Sequence, residues 1–486
     1  MMMRKVKYIC IIALLLISDY ITAQSCETII LDSQQSIDSF NQFYPNCTVI
    51  NGDLELVGTE IYNTDSLYKI QEILGSLLVN SSSIKRLSGF DSLKVISESL
   101  RIKNCPELEK ISEFDHLEQL GSFSVDSTYK LKEIYGFKKI KKLGLLNISF
   151  NIGLERLVAF DSSTIYSLAI VNNESLVDFE LANFTRIPTG DTILFSSLAF
   201  LINHNARLKY FSVFAYVQRI QFFEIINNPS LEYLRGFDNV IQINRIEISF
   251  NTSLKEIDIL NNIENNKDRA SLSISQNDSL LYLNIFNKIK KISSLTIAGS
   301  PLLKSLGSSF SNIDTMITNT QLGGLELYSN KRLTDISSLE NVKYFDRVII
   351  SGNMNLADCS IKSICNHVQS GGIIDVDFTN FPGCRSVNQI LAKCTVSTSD
   401  DHSRDFVIYP NPSYDHISVQ QSDTFVKSPT VAKIYDIAGK EIMRKTIDWS
   451  GIGDGFTINI SHLPSGSYQV ILWTNSTKQT LRFVKI

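Results

Sequence analysis

The chain has 486 residues, about three times the ~150 of an average domain, so it holds several domains or one long repeat array. Lys and Arg number 46 against 50 Asp and Glu, a formal charge of −4 with no basic block, which argues against electrostatic nucleic-acid binding. Six His, none paired at ligand spacing, and no Cys-x-x-Cys exclude an ordinary zinc site, so no metal, no cofactor and no catalytic centre is expected.

Residues 1–23 open with Arg4, Lys5 and Lys7, run almost wholly apolar from Ile9 to Ile17, and close at Thr22-Ala23. This is the pattern of a Sec signal peptide, and the apolar run is far shorter than the roughly 20 residues of a spanning helix. Cys26 suggests a lipoprotein, but Ala23 stands where lipidation wants Leu. No transmembrane segment is expected in the mature chain. Export places the remaining cysteines in an oxidising compartment. Cys26 and Cys47 precede the middle of the chain, and Cys359, Cys365, Cys384 and Cys394 follow it, as disulfide staples on two caps. A bridge from Cys26 to Cys47 would close a loop of about 20 residues, worth roughly 3 kcal/mol. The last four allow three pairings.

Between the caps the chain repeats. Apolar anchors stand at Ile84, Leu108, Leu131, Leu154, Leu176, Leu208, Leu231, Leu254, Leu280, Leu303, Leu333 and Leu356, with steps of 24, 23, 23, 22, 32, 23, 23, 26, 23, 30 and 23 residues. Eight and six residues before each anchor, from Leu108 on, lie apolar pairs running from Leu100/Ile102 to Val348/Ile350. Spacing of two marks a strand with one buried face. The residues between the pairs face outward: Arg101, Ser124, Asn147, Ala169, Leu201, Glu224, Glu247, Ser273, Thr296, Glu326 and Ile349. Three residues before the anchors stand Ser81, Cys105, Thr128, Asn151, Asn173, Asn205, Asn228, Asn251, Asn277, Ser300, Asn330 and Asn353. Stacked amides there can serve the backbone groups that turn inward. Cys105 fills such a slot, which makes it a buried free thiol. Six residues after the anchors stand Phe90, Phe114, Phe137, Phe160, Phe214, Phe237 and Phe286, one ring per coil, which suits a stacked core. The fold expected is a mainly β solenoid of about 12 coils, with degenerate turns at Leu54/Leu56 and Ile374/Val376.

From Cys26 through Cys47-Thr48-Val49-Ile50-Asn51-Gly52-Asp53-Leu54, and in repeats such as Asn228-Pro229-Ser230-Leu231 with Gly236-Phe237, the chain resembles the receptor L-domain type of leucine-rich repeat over about residues 26–394. The four late cysteines resemble the C-terminal cap of such proteins in Bacteroidetes. The resemblance implies a fold and names no ligand.

Residues 396–405 are polar and aperiodic, a linker. Residues 406–486 carry seven short alternating strands between Pro, Gly and Asn turns, a small antiparallel β-sandwich. Its landmarks are Pro410, Asn411 and Pro412; Asp436, Gly439 and Lys440; Leu463, Gly466 and Tyr468; and Lys485 beside the terminus. In this order they are similar to the type A sorting domain of the type IX secretion system. That resemblance implies contact with the type IX machinery, translocation across the outer membrane and usually removal of the tail.

The domain organisation expected is therefore signal peptide 1–23, solenoid 24–395, linker 396–405 and sorting domain 406–486. The function expected is a non-catalytic binding or adhesion protein, secreted or at the cell surface, whose partner is a protein or glycan and not nucleic acid. No carboxylates pair at matching positions in adjacent coils, so a glycosidase has no constellation behind it. A hydrolase with its site in the insertions is the alternative, and sequons such as Asn147-Ile148-Ser149 would suit a eukaryotic receptor ectodomain. The long steps place extra chain at about Ala182 to Phe195, Leu260 to Ala270 and Ser308 to Gly323, as projecting loops. Beside the first, Leu201, Phe222 and Ile226 are the expected contact patch.

Overall fold

The protein is described by a computed structural model that covers residues 24–160, 163–181, 199–211, 217–264, 266, 269–318, 323–394, 406–409, 413–421, 430–436, 440–447, 455–473 and 478–486. The signal segment, the linker, the first insertion, Phe214 and the landmarks Pro410, Asn411, Pro412 and Gly439 lie outside the described residues. Two compact units divide between Thr395 and Val396.

The first unit is a parallel β-solenoid of about 14 turns. Its main sheet begins with Gln24–Cys26 and Ile29–Leu31, passes through Leu54–Val57 and Leu77–Asn80, and ends at Ile373–Val376, each strand in parallel register with the next coil. The turn at Ile29–Leu31 extends the solenoid beyond the repeats; its three residues are too short to show a period. In each coil the alternating apolar residues point inward and are buried, Phe223 and Ile225 for example, while Phe222, Glu224 and Ile226 between and beside them stay half-buried on the outer face. Two narrower parallel sheets line a second side, one from Lys110–Ile111 to Asp178–Glu180 and one from Tyr233–Gly236 to Tyr282–Ile285.

The turn out of each main strand is where the ladder acts. The residue before each ladder slot takes a left-handed backbone, φ 57 at Asn172, 60 at His204 and 56 at Asn227, and its N–H reaches the next strand. The ladder residue then turns inward. Asn173, Asn205, Asn228 and Asn251 each donate their backbone N–H to the Oδ1 of the following ladder Asn, at 3.1, 3.1, 3.0 and 3.1 Å, and their Nδ2 to a strand carbonyl at 2.9, 2.8, 2.7 and 2.7 Å. Buried polar backbone is thus satisfied by side chains. Cys105 is a free, buried thiol in this row; desolvation pushes its ionisation up, with Ser82 and backbone contacts opposing. The first slot differs from the repeat alignment: Ser82, not Ser81, is buried there and lies 3.2 Å from Cys105 Sγ, while Ser81 takes the left-handed position at φ 57. That coil is one residue shorter between slot and anchor, which is why the first step runs to 24 residues.

The rings stack along the axis, Phe90 on Phe114 at 6.0 Å, Phe114 on Phe137 at 5.4 Å and Phe137 on Phe160 at 4.6 Å. Phe137 and Phe237 are left-handed at φ 60 and 62, each after a Gly at φ 97 or 100. Only Gly accepts the latter value without strain, and burial of each ring, worth roughly 2–3 kcal/mol, offsets the strain at Phe.

The insertion limits also need correction. Leu260, Ile263 and Ala270, and equally Phe310, Ile313 and Met316, are core residues at 0% exposure. The extra chain is therefore confined near residues 264–269 and 317–323. These two stretches meet, since the Arg269 guanidinium donates to the Ile317 carbonyl at 2.9 Å. At the C-terminal end, disulfides join Cys359 to Cys384 and Cys365 to Cys394 around the helices Lys362–Gln369 and Val387–Cys394, and at the other end one joins Cys26 to Cys47.

The second unit has two antiparallel sheets, one of Phe406–Tyr409, His416–Gln421 and Gly455–Asn459, the other of Glu441–Ile447, Thr430–Tyr435, Gly466–Trp473 and Lys478–Lys485. Ile417, Val419, Ile434, Ile458, Val470 and Leu472 form its core.

Candidate recognition face and sorting tail

The outward residues of the main sheet line up in columns because parallel strands keep one register. The expected outward residues form one column: Arg101 pairs with Ser124, Ser124 with Asn147, then Ala169, Leu201, Glu224, Glu247, Ser273, Thr296, Glu326 and Ile349 in turn. Phe222 and Ile226 lie in the columns on either side. Because Ala199 pairs with Phe222, Leu201 with Glu224 and Asn203 with Ile226, Leu201 is diagonal to both Phe222 and Ile226. Diagonal neighbours on one face lie ~7–8 Å apart, within reach of each other's side chains. All three are half-buried, and Glu224 stands between Phe222 and Ile226 on their own strand.

The same register corrects the expectation about carboxylates. Glu224 and Glu247 are direct cross-strand partners on adjacent coils, so a carboxylate pair exists on this face. Glu247 is held by Arg245 at 2.9 Å, and Glu224 accepts from Asn203 Nδ2 at 3.4 Å. Like charges directly opposite one another oppose pairing, and the Arg245 cation relieves this. No cluster of His, Cys, Asp and Glu able to hold a metal is found among the described residues.

The second side is different in kind. Lys110, Glu133, Arg156 and Asp178 alternate in charge across four paired strands, and Lys110 and Arg156 both lie over the Tyr135 ring, at 4.9 and 5.6 Å. Glu232 pairs with Lys255 at 2.7 Å, and Arg235 with Glu256 at 2.8 Å. The charges on this side are largely spent on each other. On the rim of the main sheet, exposed apolar residues that the spacing alone did not single out gather on neighbouring coils, Tyr129, Phe150 and Ile152, while the exposed Leu145 lies in the column of Phe222.

In the tail, the described landmarks hold turns and core. Asp436 Oδ1 accepts the N–H of Lys440 at 3.0 Å, closing the turn between two strands. Leu463 is buried, and Tyr468 stacks on Phe483 at 5.4 Å while its hydroxyl donates to the Pro464 carbonyl at 2.7 Å. Gly466 pairs with Lys485, and Ser413 exchanges backbone bonds with Val484 and Ile486 at 2.8 and 2.9 Å. The last strand is therefore locked on both sides.

No described helix is long and apolar enough to cross a membrane. Residues 407–486 match the secretion system C-terminal sorting domain, and residues 46–124 match the receptor L domain. Among solved structures, a leucine rich cell surface protein from Faecalibacterium prausnitzii is 11% identical over 75% of this chain and 89% of its own, with a TM-score of 0.22. The pneumococcal vaccine antigen PcpA is 13% identical over 62% and 85%, with a TM-score of 0.19. A leucine-rich repeat protein from Bacteroides ovatus is 13% identical over 67% and 79%, with a TM-score of 0.17. At such TM-scores these three likenesses carry no argument about this chain. What the family matches and the fold give together is a parallel β-solenoid that carries a receptor L domain, followed by a type IX sorting domain, in a protein exported to the cell surface or secreted.

Proposed function

We propose that the solenoid is a non-catalytic recognition module, delivered by a signal peptide at 1–23 and by the sorting domain, which engages the type IX machinery across a linker at 396–405. Its partner is a protein or glycan, and Leu201, Phe222 and Ile226 are the anchoring contacts. The observation that carries this reading is the diagonal placement of Leu201 between Phe222 and Ile226 on a continuous parallel sheet. A rigid sheet holds three apolar side chains at fixed spacing with little ordering cost on binding. Binding to arrayed surface proteins and glycans tests it: Phe222→Ala, with folding preserved, weakens binding by about 1 kcal/mol or more, and wild-type affinity in that variant refutes it.

The Glu224 and Glu247 pair supports a second reading, an exported glycoside hydrolase, since cross-strand neighbours ~4.8 Å apart approach the ~5–5.5 Å carboxyl spacing of retaining enzymes. Glycan turnover by the full chain, abolished in Glu224→Gln, would establish this reading in place of recognition.

A further inference from the structure

The residue before each ladder slot is left-handed in coil after coil, and half of these positions hold a residue suited to that backbone: Asn104, Asn172, His204, Asn227, Gly299 and Gly352. Phe150 and Phe250 break the rule at φ 57 and 59. A bulky side chain at positive φ is an outlier that costs free energy. Elsewhere in the solenoid left-handed Phe residues such as Phe137 and Phe237 are buried, and core burial offsets the strain. Phe150 and Phe250 are 50% and 48% exposed, so burial offsets little of it. Local rules broken without a stabilising return mark functional positions.

The two rings stand at equivalent places on one rim. Each donates its backbone N–H to the strand of the next coil, Phe150 to Val171 at 3.0 Å and Phe250 to Ser275 at 3.1 Å. Four strand steps separate their coils, about 19 Å at ~4.8 Å per step. Between them, on the same rim, come Asn172, His204 and Asn227, with the last two exposed. Neither these five residues nor the residue preceding each of them is a Lys, Arg, Asp or Glu. The outward column two residues further back carries Glu224 and Glu247, so the uncharged band is a property of the rim and not of the whole sheet.

We propose that this rim binds an extended, uncharged oligosaccharide along the solenoid axis, with Phe150 and Phe250 as stacking platforms for its end units and Asn172, His204 and Asn227 hydrogen-bonding the hydroxyls between them. An aromatic face is electron-rich and attracts the polarised C–H groups of a sugar ring. Amides and an imidazole offer both donors and acceptors, as hydroxyls require. A linear chain suits a linear rim, and an uncharged band offers nothing to a phosphate backbone. The inference rests on the recognition reading above and names the ligand class that reading leaves open.

Calorimetric titration of the full chain with gluco-, manno- and xylo-hexaoses tests it, beside Phe150→Asn/Phe250→Asn, which installs the residue that Asn172 and Asn227 already show to be suited to the same backbone. One of the hexaoses binds the wild-type chain, and the double variant weakens it at least about tenfold while its melting midpoint stays level or rises. Absence of binding by every hexaose, unchanged affinity in the variant, a fall in its melting midpoint, or stronger binding of single-stranded oligo-dT would each overturn the proposal. Failure of the parent reading is separable: hexaose hydrolysis sinks non-catalytic recognition and leaves the rim, whereas a hexaose lost in Phe222→Ala and kept in the double variant sinks the rim alone.

Discussion

Replacing Asn228 with Leu probes the device that closes every coil. Asn228 Nδ2 donates to the carbonyls of Ile202 and Ile226 at 2.7 and 3.3 Å and to Asn251 Oδ1 at 3.2 Å. Its Oδ1 accepts the backbone N–H and the Nδ2 of Asn205, both at 3.1 Å. Leucine removes all of these in a slot at 0% exposure, taking away the partner of the Asn205 N–H and of the Ile202 carbonyl. At about 1–3 kcal/mol per buried group left unmade, two groups give roughly 2–6 kcal/mol. With ~2.1 cal/mol/K of unfolding entropy per residue over the ~370 residues of the solenoid, the melting midpoint falls by about 3–8 °C. Thermal unfolding followed by circular dichroism reads this. Asn228→Thr should lose less, because Thr128 holds the same slot and still donates its hydroxyl and N–H to Asn151 Oδ1. An unchanged midpoint in the Leu variant, or equal losses in both, would refute the ladder argument.

Alkylation of the exported protein under denaturing, non-reducing conditions should label Cys105 alone, and Cys105 found in a disulfide would contradict its ladder role. A chain truncated after Thr395 should fold but stay in the periplasm of its native host; surface display at normal level would refute the sorting assignment. Desolvation pushes the Asp377 carboxyl up, but the Ser351 and Thr379 hydroxyls and backbone donors outweigh it and hold its ionisation below the usual range. A depressed carboxyl contributes stability that is present above its unfolded pKa of about 3.9 and is lost as pH falls through the folded value. Asp377→Asn should therefore lower the melting midpoint at neutral pH and not in strong acid, and an equal deficit at both would show that its charge is irrelevant.

The periodic part of the fold was legible because one coil repeats one solution. The apolar pairs, the ladder asparagines and the Phe column each appear about every 23 residues, and register then follows from parallel stacking. Where a coil departs from the norm, the anchor misleads. Counting back three residues from Ile84 points to Ser81, whereas the strand pair Leu77/Val79 sets the slot at Ser82. The long steps overstate the insertions, since the apolar Leu260, Ile263, Phe310, Ile313 and Met316 belong to the coil and only the excess beyond them is extra. Glu224 and Glu247 occupy one column and were visible as a pair, but only register makes neighbours of residues 23 apart. The pairing of the four late cysteines depends on how two helices lie, which no spacing encodes. Phe150 and Phe250 were hidden for another reason: the backbone angle that makes them costly is not written in their residue type.

Side-by-side binding of the full chain, Phe222→Ala and Phe150→Asn/Phe250→Asn to one array of surface proteins and glycans decides whether the outer sheet and its rim are recognition surfaces. The expected result is a saturable ligand for the wild-type chain that at least one folded variant loses by about tenfold or more. A ligand retained at wild-type strength by both variants would contradict it.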